Sequence, residues 1–224
     1  IANADAIFIV LAASQPTPNF PMLDRLLVAS EKAQIDDLVI IINKVDLEDP
    51  SIINKRFSPY IKMGYTVLQT SAKDGRGIED VQAMLKGKLS AFTGPSGVGK
   101  TSLLNCLQPN LGREVRNVSN YHQEGVHTTR DSALIKLDTT IYGDNTYLAD
   151  TPGMRSLNVW DVEPEELDGY FRDLAPHIGK CRFSNCTHDH EPGCGVRLAL
   201  KKNLVSFARY KSYLKLREEL EAVY

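Results

Sequence analysis

No apolar run in this 224-residue chain approaches the roughly 20 residues that a bilayer-spanning helix needs. The stretch Ile7 to Ala13 is apolar, but it has neither a basic leader nor a following cleavage site, so it does not read as a signal peptide. A membrane partner is therefore not expected, and a cytoplasmic location is. The chain is also short of charge imbalance: its formal net charge is −2, so any nucleic-acid surface must be local rather than global. Cysteine is sparse. Three of the four cysteines (Cys181, Cys186, Cys194) crowd into one stretch with His188, which in a cytosolic chain favours metal over disulfides. Internal repeats and low-complexity segments are absent too. The chain opens on Ile1 rather than Met, which leaves room for an upstream segment.

With 42% hydrophobic and 24% charged residues, the composition is that of a globular protein long enough for one large domain or a domain plus an appendage. Apolar runs and turn signals alternate in a βα rhythm. Ala6–Ala12 and Leu38–Ile42 read as buried strands, Phe20–Ala33 as an amphipathic helix, and Ser51–Met63 as a helix weakened in its second half by Pro59. Tyr65–Gln69 and Leu89–Phe92 read as strands, and Ile78–Leu85 and Lys100–Leu107 as helices. Residues 110 to 130 read as a mobile loop, Ser132–Leu137 with Thr139–Tyr142 as a hairpin, and Tyr147–Ala149 as a further strand. Glu163–Leu174 reads as a helix with Pro164 in its first turn, followed by one or two helices over Val196–Leu220. This alternation predicts an α/β fold with a mostly parallel sheet covered by helices on both faces. The expected division is 1–160 for that domain and 161–224 for a small helical one.

Four strings sit where such a sheet places its ligands, beyond strand ends. GPSGVGKT (Gly94, Pro95, Ser96, Gly97, Val98, Gly99, Lys100, Thr101), followed by Ser102, lies between a strand and a helix. That is the context in which a P-loop cradles phosphate with backbone N–H groups and a helix N-terminus. Lys100 is expected to reach the β- and γ-phosphates, and Thr101 to bind Mg²⁺. Asn43, Lys44 and Asp46 of NKVD form the second group. The Asp46 carboxylate can accept from a guanine donor pair that adenine lacks; Asn43 is expected to tie loops together, and the Lys44 stem to pack on the base. The third group is Ser71, Ala72 and Lys73, whose Ala72 N–H suits guanine O6. DTPG follows: Asp150 is expected to hold Mg²⁺ through water, and the Gly153 N–H to touch the γ-phosphate. The HTTRD loop offers Thr129, or Thr128, as the Mg²⁺-closing hydroxyl; likeness to TTRD and VTRD loops in other GTPases favours Thr129. Lys100, Thr129 and Gly153 are thus the candidate catalytic residues. Met154 stands where many GTPases carry a water-orienting Gln, which predicts slow hydrolysis by the chain alone. His127 is a candidate for that role; the alternatives are that it is only a solvent-exposed loop histidine and that a partner orders the loop.

Cys181-x4-Cys186-x-His188-x5-Cys194 offers three thiolates and an imidazole, a closed tetrahedral zinc set with a structural role. His190 is the competing fourth ligand, and reduced thiols in a small core the competing reading. Cys106 reads as core packing. From Arg197 to Arg217 seven basic residues occur without an acid, interleaved with Phe207, Tyr210 and Tyr213. Basic and aromatic groups on one helix can grip phosphates and stack on bases; the equally weighted alternative is an amphipathic helix with core aromatics and solvated lysines, and the spacing 207, 210, 214 suits a packed face.

In an ordinary GTPase the phosphate loop comes first. Here NKVD and SAK precede it, so the parts list is complete but rotated. That order, together with IANAD, LDRLLV, SAKDGRGI, GPSGVGKTSLLN, DTPGM and the Cys/His knuckle, resembles the RsgA (YjeQ) family of circularly permuted GTPases. The resemblance covers essentially the whole chain. It implies GTP and GDP as ligands, Mg²⁺ and Zn²⁺, GTP hydrolysis stimulated by the ribosome, and assistance to late maturation of the small ribosomal subunit through contact with its rRNA, by a monomer. A GTP-dependent RNA-binding module with incidental hydrolysis is the alternative; an ATPase or small-molecule kinase conflicts with NKVD. The family usually carries an OB-fold domain ahead of the GTPase, to which nothing here corresponds. It also often shows a G-L-W-H-like string after the switch, where this chain has Asn158-Val159-Trp160-Asp161, so a role for that His does not transfer to Asp161.

Overall fold

The computed structural model describes residues 4–112, 134–149 and 162–222. These residues form two compact units, one of Ile1–Asn19 with Ile35–Ser156 and one of Phe20–Gln34 with Leu157–Tyr224.

The first unit is built on a six-stranded sheet in the order β3-β2-β1-β4-β6-β5. Its strands are β1 (Ala6–Ala12), β2 (Asp37–Asn43), β3 (Thr66–Gln69), β4 (Leu89–Thr93), β5 (Leu134–Lys136) and β6 (Tyr147–Ala149). All pairings are parallel except β5 with β6. Every residue of β1 is buried, which is why its sequence is continuously apolar: a central parallel strand faces core on both sides. In register, Phe8 lies beside Phe92 of β4, and their rings stack at 4.7 Å between centroids. The chain winds outward from β1 to β2 and β3, then crosses to β4 and β6. The switch point therefore falls between β1 and β4, the crevice where such sheets bind ligands.

Helices α2 (Pro50–Lys62), α3 (Ile78–Leu85) and α4 (Lys100–Leu107) belong to the same unit. α2 begins with Asp49, whose side chain accepts from the Ser51 N–H. It runs through Pro59 without ending there. The missing N–H of Pro59 leaves the Lys55 carbonyl without its usual donor, and the Ser58 hydroxyl supplies one at 3.3 Å. The expected hairpin of Ser132–Leu137 with Thr139–Tyr142 is corrected. β5 pairs with β6 instead, and Thr139–Tyr142 is a helical turn, α5. Asp138 decides this: its carboxylate accepts from Thr140 N at 2.8 Å and Oγ1 at 2.7 Å, an N-cap that outweighs the strand preference of two threonines and an isoleucine.

The second unit is helical. It contains α1 (Phe20–Lys32), a 3₁₀ turn at Leu167–Tyr170, α6 (Ala175–Ile178), α7 (Gly195–Lys201) and α8 (Phe207–Glu221). The continuous helix expected over Glu163–Leu174 is replaced by turns and the 3₁₀ segment. Gly169 weakens a helix there by about 1 kcal/mol; the Glu166 carboxylate accepts from the Glu163 N–H at 3.0 Å, and Pro176 stands in the first turn of the separate short helix α6. Leu167, Phe171 and Leu174 are still fully buried. They pack with Val28, Val196, Tyr210, Tyr213 and Leu216 into one core.

α1 thus groups with the second unit although it lies well inside the first 160 residues. Val28 joins that unit's core, and Arg209, 2% exposed, pairs with Asp24 of α1 and with Asp173 at 3.1 Å while its guanidinium lies 4.6 Å over the Phe171 ring. A buried guanidinium demands such partners. The unit is therefore discontinuous in sequence, which the linear division at 160 did not anticipate.

Candidate functional site

β2, β3 and β4 end at the same edge of the sheet, with β1 between β2 and β4, and each hands its chain to one of the expected motifs. Past β4, Gly94 has φ +138, and a Cβ there would lie 2.1 Å from the Val10 carbonyl oxygen of β1. Gly99 has φ +91, and a Cβ there would lie 2.5 Å from Nδ2 of Asn43. Both positions need glycine for backbone conformation and for space. α4 starts at Lys100 with Gly99 as its N-cap and no side-chain cap, so its first N–H groups face a ligand position rather than a capping oxygen. Lys100 folds over the loop, its Nζ donating to the Gly94 and Pro95 carbonyls at 2.7 Å each; burial holds its ammonium below the usual lysine range. Ser96 and Gly97 lie exposed and Val98 is buried; Thr101 is half-buried and Ser102 exposed.

Asn43, the last residue of β2, ties three segments together. Its Nδ2 donates to the Val98 carbonyl at 2.9 Å, and its Oδ1 accepts from Thr70 Oγ1 at 3.2 Å and from Ala72 N–H at 3.3 Å. It is 1% exposed, so its fork is dry and each bond is costly to lose. Lys44 sits in left-handed backbone at φ +60. Its Nζ donates to the Gly97 carbonyl at 2.7 Å and to the Gln15 carbonyl. Asp46 accepts from the buried Ser71 hydroxyl at 2.8 Å, and Lys73 is exposed at the rim. The first unit therefore brings the phosphate-type loop, NKVD and SAK into one bonded cluster. Thr129 with Thr128 and His127, Asp150, Gly153, Met154 and the string Asn158–Asp161 lie outside the described residues, as does most of the loop expected over 110 to 130. Cys106 is exposed, not core, with its thiol 3.3 Å from the Ala72 carbonyl. It occupies the outer face of α4, opposite the buried Leu103, Leu104 and Leu107.

The second unit brings Cys181, Cys186, His188 and Cys194 together, with all four ligand atoms within 4.8 Å of one another. Nδ1 of His188 stands 3.5 Å from the Cys181 sulfur and 3.4 Å from the Cys194 sulfur, and those sulfurs are 3.9 Å apart. A tetrahedral zinc with bonds near 2.3 Å to sulfur and 2.0 Å to nitrogen sets its ligand atoms about 3.5–3.8 Å apart, so the donor set fits that ion. Backbone N–H groups of Gly195 and Arg197 point at the Cys181 and Cys194 sulfurs at 3.3 and 3.4 Å, as suits thiolates. Burial pushes the Cys186 thiol up to about 12, so its thiolate form needs a cation beside it. His190, 80% exposed, points at Asp189 and not into the cluster.

The surrounding residues were not legible as partners. Asp168 Oδ2 lies 2.8 Å from His188 Nε2. Tyr210 donates its hydroxyl to the His188 carbonyl at 2.7 Å, and Tyr213 to the Thr187 carbonyl at 3.0 Å. Burial pushes the Glu191 carboxyl upward, but bonds from Thr187 N–H and Oγ1, both 2.6 Å, outweigh it and bring the group down to about 2. Two of the three aromatics interleaved with the basic run are therefore core residues that brace the ligand loop. Phe207 is the exception to the packed face expected at 207, 210 and 214: it is 61% exposed with Lys211 over its ring at 4.8 Å. Of the seven basic residues, Arg209 is buried in its carboxylate pairs and Arg217 is committed to the Pro164 carbonyl and Glu221.

A family profile described as RsgA GTPase matches residues 1–160. This chain belongs to the RsgA GTPase family. It is 39% identical over 99% of its length to a protein of Alkaliphilus metalliredigens named small ribosomal subunit biogenesis GTPase RsgA, covering 74% of that relative. It is 40% identical over 98% of its length to the Thermotoga maritima protein of the same name, covering 72% of it. Among solved structures, YjeQ from Thermotoga maritima superposes with TM-score 0.80 at 37% identity, covering 97% of this chain and 72% of that one. YloQ, described as a circularly permuted GTPase, superposes with TM-score 0.75 at 30% identity, covering 100% of this chain and 70% of that one. The RsgA fold and its permuted motif order are thus those of this chain: a parallel-sheet GTPase with a Cys₃His cluster in its C-terminal region. Among the described residues no helix is long and apolar enough to cross a membrane.

Proposed function

We propose that this GTPase is a switch acting on the small ribosomal subunit, binding GTP through Gly94–Ser102 and reading guanine through NKVD and SAK. The observation that carries the reading is Asn43, which bonds at once to Val98 of the phosphate loop and Ala72 of the SAK loop. Base recognition and phosphate grip share that one buried side chain. Lys100 exchanges its two loop carbonyls for β- and γ-phosphate oxygens. Asp46, steadied by Ser71, accepts from guanine N1–H and the 2-amino group, while the Ala72 N–H meets O6 and the Lys44 stem covers the base. Thr101 and Thr129, with Asp150 through water, would hold Mg²⁺, which would neutralise charge on the phosphate oxygens, and the Gly153 N–H would contact the γ-phosphate. Water then attacks the γ-phosphorus, giving GDP and phosphate. Met154 offers no group to orient that water, so we assign slow hydrolysis to the chain alone and stimulation to the ribosome. Cys181, Cys186, His188 and Cys194 would hold zinc, which would supply a structural cross-link within the second unit.

The names of the relatives support the ribosomal role, and the proposed docking is to rRNA, by a monomer in the cytoplasm. The test is GTP hydrolysis with and without purified small subunits, with ATP as control. A large GTP-specific stimulation is expected; slow turnover unchanged by subunits would overturn the switch reading. Asp46→Asn is expected to move preference from guanine to xanthine nucleotides, and unaltered guanine selectivity would refute the base assignment.

A further inference from the structure

A histidine bound to a metal must present one nitrogen unprotonated, and the partner of the other nitrogen decides which. In this chain the choice is built in. Nδ1 of His188 faces the sulfurs of Cys181 and Cys194, whereas Nε2 is 2.8 Å from Oδ2 of Asp168. A carboxylate only accepts hydrogen bonds, so Nε2 carries the proton, and in the neutral ring that a metal requires the lone pair then lies on Nδ1. His188 is 1% exposed, so no water competes for that edge of the ring.

Asp168 is well placed to hold this geometry. It lies in the 3₁₀ turn Leu167–Tyr170, whose Leu167 is fully buried. The same turn is anchored to α1 through Glu166, which pairs with Lys32 and accepts from the Tyr170 hydroxyl at 3.0 Å. The ligand itself needs support, because His188 has φ +65, a left-handed conformation that costs a non-glycine residue about 1–2 kcal/mol. The Tyr210 hydroxyl on its carbonyl holds the backbone. Ring and backbone of one ligand are thus fixed by two different elements.

We propose that Asp168 is a positioning residue for the metal centre: it selects the Nε2–H tautomer of His188 and thereby keeps Nδ1 available as the fourth ligand. This rests on the zinc reading above. The role is separable from that of Tyr210, which bonds the same residue at its backbone carbonyl and not at a ring nitrogen.

The experiment uses the full chain, as parent and as Asp168→Ala, Asp168→Asn and Tyr210→Phe. Zinc content is measured first, then the rate of zinc transfer to a colorimetric chelator, and the ¹⁵N shifts of the His188 ring in zinc-loaded protein. Asp168→Ala is expected to weaken zinc retention by about 10- to 100-fold and to move the Nε2 shift, since its hydrogen-bond acceptor is gone. Asp168→Asn, whose amide oxygen still accepts, should recover most of the retention. Tyr210→Phe should speed release without moving the Nε2 shift. Loss of zinc in Asp168→Ala with no rescue by Asn and no separate ring signature would reduce Asp168 to packing and overturn the proposal. So would a parent and Asp168→Ala that release zinc alike. A parent that purifies without stoichiometric metal fails the zinc reading itself, and the proposal with it. Circular dichroism of each variant identifies any that does not fold, in which case Asp168→Asn, the smallest change, carries the ring-shift comparison.

Discussion

The nucleotide cradle and the Cys/His knuckle solve opposite problems with opposite materials. The proposed cradle is made largely of backbone: glycines in positive φ, an uncapped helix start, and carbonyls that hold Lys100 and Lys44. The knuckle is made of side chains closed on one point, with tyrosine hydroxyls and carboxylates locking the loop around it. Four protein ligands leave no position for exchange. The contrast teaches where specificity resides in each. Backbone geometry tolerates almost no residue change at its tight points, whereas a side-chain shell can be weakened one group at a time.

Perturbations ranked by expected size can break that contrast. Removing a ligand should have the largest effect: Cys194→Ser is expected to lose stoichiometric zinc and the hydrogen-exchange protection of α7 and α8, while GTP binding by the first unit stays within about tenfold of the parent, roughly 1.4 kcal/mol. Loss of GTP binding to the same degree would show that the two sites are not independent. Next comes Gly94→Ala, whose Cβ meets a backbone oxygen at 2.1 Å that cannot swing aside. It should weaken GTP binding at least about 100-fold, near 3 kcal/mol, with zinc content unchanged. Asn43→Ala is graded rather than all-or-none. It leaves the Val98 carbonyl and Ala72 N–H without their partner, for about 1–3 kcal/mol of stability, measured by urea unfolding, and a nucleotide affinity lower by about tenfold.

The smallest expected effect concerns Lys100. Burial lowers its pKa in the folded state, so between that value and the ordinary lysine value of about 10.4 the unfolded chain binds more protons. Stability from this group therefore rises with pH across that window. Nucleotide-free parent should gain urea resistance from pH 8 to pH 10 relative to Lys100→Met, and identical pH slopes would refute the assignment.

The same contrast explains what could be read beforehand. Strands β1 and β2 were plain because residues buried on both faces leave unbroken apolar runs. The loop motifs were plain because backbone cradles need glycine and a few side chains at fixed spacing. The Cys₃His set was legible for the same reason of spacing. Asp168 was not: it lies 20 residues before His188 in a segment expected to be a regular helix, and nothing local marks a carboxylate as a histidine's partner. Thr139–Tyr142 misled because strand-favouring side chains were weighed without the Asp138 cap. Cys106 was assigned by its element rather than by its face of the helix. Arg209 was counted with the basic run, and its burial was not legible, since its two carboxylate partners come from elsewhere in the chain.

The grouping of α1 with the second unit bears on how this protein can be taken apart. A cut near residue 160 would give a C-terminal piece that still has its metal ligands but lacks Val28 from its core and Asp24 from beside Arg209. The remaining piece would carry an amphipathic helix without the packing it belongs to. The natural seams are three, on either side of α1 and after Ser156. A self-sufficient second unit therefore calls for a graft, with residues 20–34 spliced back onto 157–224, rather than a truncation.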